Sequence, residues 1–414
     1  MTLAPYADTR LVNAAHGLLR EALDSGADDA LVQIEARRTQ ELSMGADGRL
    51  DLRQGSESLA AVTSVRGQRR ETRLVSGLPV GDMARSRPWL TAEEAVELLR
   101  EVRDGGDPAT ARALLGARLS DEAIATVSLT ADGCERVSIR VTCGISQWAT
   151  GPGGQHLEGE FAHGAGLPAP GRLWSRRQEL IECRGAAWRP DDGATRLLLR
   201  SPLAVQLISS LAGILNGAAV TGSLSVLRDR IGRKIGSPAV TLIDDGLPDA
   251  GPWGTAADAE GTPTRRNILI EEGVLRGFLH TRATAKACAH EPNGAAVQRR
   301  LGARVRPGPR GLRIAGSAGP DDLRARLGDG LEAVAAVGPA RVIGRHGEFA
   351  VPAVGWEVTG GRRRRPFGPV VICCKLFAAL RGLEACGADL TQSVILSGIA
   401  APSLLLAEGA VRST

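Results

Sequence analysis

Three tight-turn signals of one kind, Asp47-Gly48, Asp132-Gly133 and Glu272-Gly273, constrain the fold of this chain more than any other feature. An acid-glycine pair between short apolar or alternating runs reads as a hairpin turn with positive φ, which joins antiparallel neighbours. Parallel neighbours would need a crossover of a dozen or more residues instead. Residues 41–44 and 49–52 flank the first signal, 124–129 and 136–142 the second, 267–271 and 274–279 the third. A further pair, residues 58–66 and 71–75, turns at Gly67, and residues 30–36 form a strand with Val32 and Ile34 on one face. Hairpins dominate over βαβ units, so the expected class is α+β with mostly antiparallel sheet.

Between these hairpins lie helices. Leu11, Leu18, Leu19, Ala22 and Leu23 recur at helical spacing over residues 9–25, behind Asp8 or Thr9 as N-cap. Thr91 with Glu94 three residues on is a capping-box pattern opening a helix over 92–103, stopped at Gly105. Residues 151–171, rich in glycine and proline, read as a long loop, followed by a strand over 176–183 and a linker-like stretch over 184–195. A length of 414 residues exceeds a comfortable single core. The chain is therefore divided into an N-terminal α/β domain with hairpins, 1–190, and a β-rich C-terminal domain, 191–414. The second opens with a helix over 202–216. Strands follow at 239–243, 311–314, 342–343, 347–354 and 356–359, with helices at 320–327 and 371–386.

Aromatic residues make up only 3% of the chain, so the core must rest on Leu, Val, Ile and Ala. The net charge of +5 is spread along the chain, and its one dense run, Arg362 to Arg365, sits among glycines and a proline as a solvated loop would. That pattern argues against nucleic acid as a partner. No stretch reaches the 18 or so apolar residues of a membrane helix, and Asp8 and Arg10 interrupt any signal peptide. Seven cysteines without dense spacing do not form a disulfide framework. A cytoplasmic, reduced protein away from membranes is expected.

The chain is poor in catalytic apparatus. Its six histidines include no pair four apart, so no His-Glu-x-x-His zinc helix exists, and His290-Glu291 runs straight into Pro292. His156 and His163 read as solvated loop histidines, and Cys373-Cys374 as buried structural thiols within the apolar run 370–376. There is no Cys-x-x-Cys, no Gly-x-Ser-x-Gly elbow (Gly222-Ser223-Leu224-Ser225 lacks its second glycine) and no phosphate loop. Neither a catalytic residue nor a metal ligand is assigned within this chain.

Several dispersed segments carry a resemblance. Ile231-Gly-Arg-Lys-Ile-Gly-Ser-Pro238 with Val240-Thr-Leu-Ile-Asp-Asp245, then Asp258-Ala-Glu-Gly-Thr-Pro263, then Asn267 through His280, resemble the centre of the TldD/TldE (PmbA) metallopeptidase family. Gly347-Glu-Phe-Ala with Val354-Gly-Trp356 is similar to its late glycine-rich hairpin, and Ala401-Pro-Ser-Leu-Leu-Leu406 to its C-terminal strand. The resemblance covers residue 197 to the C-terminus and implies a barrel-like, mostly antiparallel C-terminal sheet with a few helices. Ala259 stands where the family's acid turn has its second acid.

The catalytic branch of the family carries a His-Glu-x-x-x-His helix just past the domain boundary. The corresponding segment here, Leu199 to Ser210, has no histidine and no acid, and Arg200 and Ser201 stand where ligands would be expected. The resemblance thus implies the TldE-like branch: a subunit without zinc, paired with a TldD-like partner that holds zinc on its His-Glu-x-x-x-His motif. The substrate implied is an extended peptide or small amide, in peptide or natural-product maturation. Asp258 and Glu260, at the acid turn, are the candidate substrate-binding residues, with the capping of a tight turn at Gly261 as the equally plain structural role. Two other classes stay open: a self-sufficient cysteine or serine hydrolase, and a regulator associated with gyrase or nucleic acid.

Overall fold

A computed structural model describes residues 9–78, 89–105, 112–151, 154–163, 168–222, 225–251, 253–298, 300–343, 347–392 and 398–412. The first part of the chain builds one antiparallel sheet. Helix α1 (Thr9–Asp24) precedes strands β1 (Asp29–Gly45), β2 (Leu50–Arg66) and β3 (Arg69–Ser76), then helix α2 (Ala92–Asp104). Strands β4 (Leu114–Thr130), β5 (Glu135–Gly151) and β6 (Gly154–His163) follow, and helix α3 (Pro170–Gly185) closes this part. The strand order is β3-β2-β1-β4-β5-β6. All three hairpins expected around Gly48, Gly67 and Gly133 form, with Met44 opposite Leu50, Arg66 opposite Arg69 and Leu129 opposite Glu135.

Alternation gives this sheet two unlike faces. Val32, Ile34 and Ala36 point to the face covered by α1, against Leu11, Ala15, Leu19 and Ala22. Gln33, Glu35 and Arg37 point the other way, and the register sets Ser128 and Thr126 of β4 beside Gln33 and Glu35. One strand further on, Arg136, Ser138 and Arg140 of β5 continue the same face. The second face is therefore largely polar and only half-buried.

Helix α2 forms as its capping box requires: the Glu94 amide donates to Thr91 Oγ1 at 3.2 Å and the Thr91 amide to Glu94 Oε2 at 2.8 Å. Two expectations for the neighbouring segments fail. Residues 176–183 are not a strand but part of α3, because Leu173, Leu180 and Cys183 are buried along one helical stripe. Arg177 sits fully buried within that stripe and obscures its period; its guanidinium is held by the Val102 and Gly105 carbonyls and by Gln147. Residues 151–171 are not one long loop either, since β6 pairs with β5 from Gly151↔Gly154 to Thr142↔His163. His156 and His163 lie on that strand; their side chains fall outside the described residues.

The rest of the chain forms β7 (Gly193–Leu199), α4 (Ser201–Ile214), α5 (Gly217–Thr221), β8 (Leu242–Asp245), β9 (Arg266–Glu271), β10 (Val274–Leu275) and α6 (Arg282–Ala287). Next come β11 (Ala296–Val297), β12 (Arg306–Pro307), β13 (Leu312–Ile314), α7 (Pro320–Leu327), β14 (Gly330–Ala336), β15 (Arg341–Ile343) and β16 (Glu348–Thr359). Last are β17 (Arg362–Lys375), α8 (Leu376–Arg381), β18 (Leu383–Cys386), β19 (Thr391–Gln392), β20 (Ile399–Ala401) and β21 (Leu404–Arg412). Strands β7, β21, β17, β16 and β14 pair in a ring, with β14 closing back onto β7, so five strands make a closed barrel. Only the β14–β7 pair in that ring is parallel. Closure removes exposed edges, and the bulges between Ala353 and Gly355 and between Ala333 and Ala335 supply the bend. A side chain on Gly355 would run into the Glu332 carbonyl, so glycine is required at that approach. A second sheet runs β10-β9-β8-β13-β20-β19. Helix α4, apolar on nearly every side, is buried in the main core with residues of both sheets.

Three C-terminal expectations are corrected. Residues 371–386 are not one helix: β17 runs to Lys375, then α8 and β18 follow. The run of Val370, Val371 and Ile372 is β-branched, which favours the strand where periodicity alone is ambiguous. Arg362 to Arg365 are no solvated loop but the first residues of β17, and Arg363 is drawn inward by Glu332 and Glu179. The strand expected over 274–279 stops at Leu275.

Candidate functional site

The polar face of the first sheet, residues 255–259, and Gln298, Arg300, Leu301 and Arg310 enclose a groove of about 920 Å³. Its floor carries Gln33, Glu35, Arg37, Thr126, Ser128 and Arg136, and its opposite wall includes Asp258, Arg300 and Arg310. Strand alternation explains the floor, because each of these strand residues sits opposite a core-facing neighbour.

Asp258 is buried in the groove wall, and its carboxylate is fully engaged. Oδ1 accepts from the Glu260 and Thr262 amides at 2.8 and 2.9 Å, and Oδ2 from the Ala296 amide at 3.1 Å. Gly261, at φ 76°, allows the chain to turn so sharply around it. Gln33 Nε2 donates to the Asp258 carbonyl at 3.2 Å, which ties this turn to β1. Burial pushes the Asp258 carboxyl up, against the pull of the three amides and of Arg310.

Glu260 points elsewhere. It lines a neighbouring pocket with Arg70, Asp132 and Arg282, and its Oε2 accepts from the Arg282 amide at 2.6 Å, at the start of α6. Burial pushes the Glu260 carboxyl up as well. Of the two acids singled out in the sequence, only Asp258 faces the groove. Ala259, also in the groove wall, is buried with its amide on the Ala296 carbonyl at 2.9 Å.

Sequence reading missed the arginines of this groove. Arg37 is met by Glu35 at 3.2 Å, Glu122 at 3.4 Å and Glu57 at 3.7 Å. Arg310 uses Nη2 on the Ala296 carbonyl at 2.9 Å, while its own amide and that of Gly311 donate to Asp244 Oδ1 at 2.8 Å each. Burial pushes the Arg310 guanidinium below its usual value, partly offset by Asp258 and Asp244. The same holds for Arg140 on the sheet, offset by Glu122 and Glu35. Three buried donor atoms of groove residues have no protein partner among the described residues: the Nε atoms of Arg136 and Arg310 and the Oγ of Ser128. A dry, unmet donor costs roughly 1–3 kcal/mol, so these atoms require water or a ligand. The period-two alternation of polar residues in 33–37 was the signal that could have revealed this face.

At the start of α4 the chemistry is different. Arg200 Nη1 donates to Glu332 Oε1 at 2.9 Å, Arg363 donates to both Glu332 oxygens at 2.7 and 2.9 Å, and Arg324 approaches at 3.2 Å. Glu332 has no exposed side-chain surface. Burial opposes its ionisation, but the Arg363 hydrogen bonds and three guanidinium charges hold its carboxyl below the usual range. Ser201 Oγ donates to the Ala401 carbonyl at 2.7 Å. Helix α4 offers no imidazole, carboxylate or thiolate, and no cluster of three such groups is set to hold a metal among the described residues. Its residues do not fit a zinc ion.

The remaining titratable groups are structural in setting. His280 is buried, with Nε2 at 3.1 Å from His290 Nδ1, and burial with that neighbour pushes it down to about 4. The thiols of Cys374 and Cys386 are pushed up to about 12, chiefly by burial, and those of Cys183 and Cys373 are raised too. No helix among the described residues is long and apolar enough to cross a membrane.

Residues 192–413 match the family model described as the PmbA/TldA metallopeptidase C-terminal domain. An Archaeoglobus fulgidus protein named Metalloprotease is 36% identical over 94 residues, 20% of this chain and 22% of that protein. A Haemophilus influenzae protein named Metalloprotease TldD homolog is 30% identical over 112 residues, 26% of this chain and 23% of that protein. The chain thus spans less than a quarter of the length of these curated relatives. The solved structure of TldE from Thermococcus kodakarensis superposes with a TM-score of 0.79, covering 97% of this chain and 100% of that one at 16% identity, a likeness of fold. With the family model matching more than half of its length, this chain belongs to the TldD/TldE (PmbA) metallopeptidase family.

Proposed function

We propose that this chain is the non-catalytic, TldE-like subunit of a heterodimeric metallopeptidase, whose zinc belongs to a TldD-like partner carrying His-Glu-x-x-x-His. The observation that carries this reading is α4: where ligands would stand, Arg200 closes a buried ion network on Glu332 instead. A guanidinium cannot donate a lone pair to a metal. The two units, 1–190 and 191–414, face each other across the groove in this reading. The groove would hold an extended peptide or small amide by backbone and side-chain hydrogen bonds along its polar floor. Asp258 and Glu260 would shape that cleft by fixing the turn rather than by touching the scissile bond. Peptide or natural-product maturation is the role that such a cleft would serve. The free cysteines fit a cytoplasmic location.

A cysteine hydrolase fits poorly, since the raised pKa values of the buried thiols oppose thiolate formation. A nucleic-acid regulator fits poorly as well, because Arg363 and Arg365, from the densest basic run, pair with Glu332 and Glu357. The test is co-expression with a TldD-like chain, followed by size-exclusion chromatography and a peptide-hydrolysis assay. Co-elution, with hydrolysis only by the pair and lost to chelator, is expected. Separate elution at micromolar concentration, or chelator-resistant turnover by the isolated chain, would overturn the proposal.

A further inference from the structure

We infer that the groove of this subunit recognises a carboxylate on the bound peptide through Arg136, with Ser128 beside it on the floor and Arg310 on the opposite wall. The inference deepens the cleft reading and rests on it for the choice of a peptide as ligand. Its basis is a mismatch between charge and partners inside one groove. Arg37 has three carboxylates around it and needs no ligand. Arg136 and Arg300 have no ion-pair partner among the described residues. Arg310, on the opposite wall, has the charges of Asp258 and Asp244 beside it and its Nη2 on the Ala296 carbonyl at 2.9 Å, so its charge is partly answered within the chain.

The unmet donors sharpen this into a place. Arg136, Arg310 and Ser128 line the same groove, and the Nε atoms of the two arginines and the Ser128 hydroxyl, all buried, have no acceptor among the described residues. The register puts Arg136 directly opposite Ser128, with Gln33 on the far side of Ser128. A surface that presents the unpaired guanidinium fork of Arg136 beside a hydroxyl without an acceptor among the described residues suits a group that only accepts, and a carboxylate takes such a fork in a bidentate way. Neutral backbone could fill single donors but would leave the guanidinium charge unanswered in a half-buried site.

Two sources share this chemistry, the C-terminal carboxylate and an acidic side chain, and matched peptides separate them. Fluorescence anisotropy of the full chain would use three N-terminally labelled alanine-rich pentapeptides: free acid, C-terminal amide, and C-terminal amide with a central glutamate. We expect at least one carboxylate peptide to bind about ten-fold tighter than the neutral amide. Arg136→Gln should remove that preference while Arg136→Lys retains part of it. Among the described residues Arg136 touches no other side chain by hydrogen bond or ion pair, so the variant should fold, and a melting curve checks this. Equal affinity for all three peptides, no binding of any at millimolar concentration, or an unchanged preference in Arg136→Gln would overturn the inference. Co-elution with the partner and hydrolysis by the pair are read separately, so either proposal can fail alone.

Discussion

Replacing Glu332 by glutamine removes one negative charge from beneath three guanidiniums and changes almost nothing in volume. Glu332 accepts three charge-assisted hydrogen bonds, one from Arg200 and two from Arg363, and pairs with Arg324 at 3.2 Å. Breaking a buried pair by removing one partner costs about 3–5 kcal/mol. The lower end applies, because Arg363 keeps Glu179 at 2.5 Å and Arg324 keeps Asp321 at 2.8 Å. Glu332→Gln should therefore destabilise the chain by about 3 kcal/mol at neutral pH, read from the urea midpoint at constant slope. The network also makes a statement about acid. The Glu332 carboxyl lies below its ordinary 4.5 in the folded chain, so its contribution is fully present above that value and is lost as pH falls through the lower, folded pKa. The wild-type chain should lose this increment on acidification below 4.5, and the variant should show no such loss. A midpoint change worth less than about 1 kcal/mol, or an identical acid limb in both proteins, would refute the assignment of Glu332 as the anchor of β14 and β17.

Other expectations are independent of that network. His280 is held near 4 against an ordinary 6.5, so the unfolded chain binds the extra proton; stability should be full above 6.5 and fall as pH drops toward 4, by up to about 3 kcal/mol, and His280→Gln should flatten that slope in urea titrations from pH 4 to 7. Asp258→Asn must turn an amide N–H₂ toward one of three backbone donors, which should cost about 1–3 kcal/mol in a melt; an unchanged melting curve would show that the turn does not depend on the charge. Cys143, Cys183, Cys373, Cys374 and Cys386 are buried and Cys134 and Cys288 half-buried, so Ellman's reagent should find at most two reactive thiols in the native chain and all seven after unfolding.

Local chemistry was legible without coordinates wherever one segment contains its own reason to fold. The turns at Gly48, Gly133 and Glu272-Gly273 form as expected, since positive φ is a property of a few residues and needs no distant partner. The capping box at Thr91 and Glu94 and the apolar stripe of α1 are local in the same sense. The dispersed motifs from Ile231 to Leu406 carried the family, because motif order survives where overall identity is low. What failed were segments whose conformation is chosen by something far away in sequence. Arg177 is buried in α3 only because the Val102 and Gly105 carbonyls and Gln147 meet it, so the helical period looked broken. Arg363 enters the interior only because Glu332 and Glu179 wait there, so a buried strand end looked like a solvated loop. The groove belongs to the same class. Asp258 could be singled out along the chain, but its neighbours Arg136, Ser128 and Arg310 come from β5, β4 and a loop almost two hundred residues on. A charged residue's place depends on whether a counter-charge or carbonyl is there to receive it, and only the tertiary structure decides that.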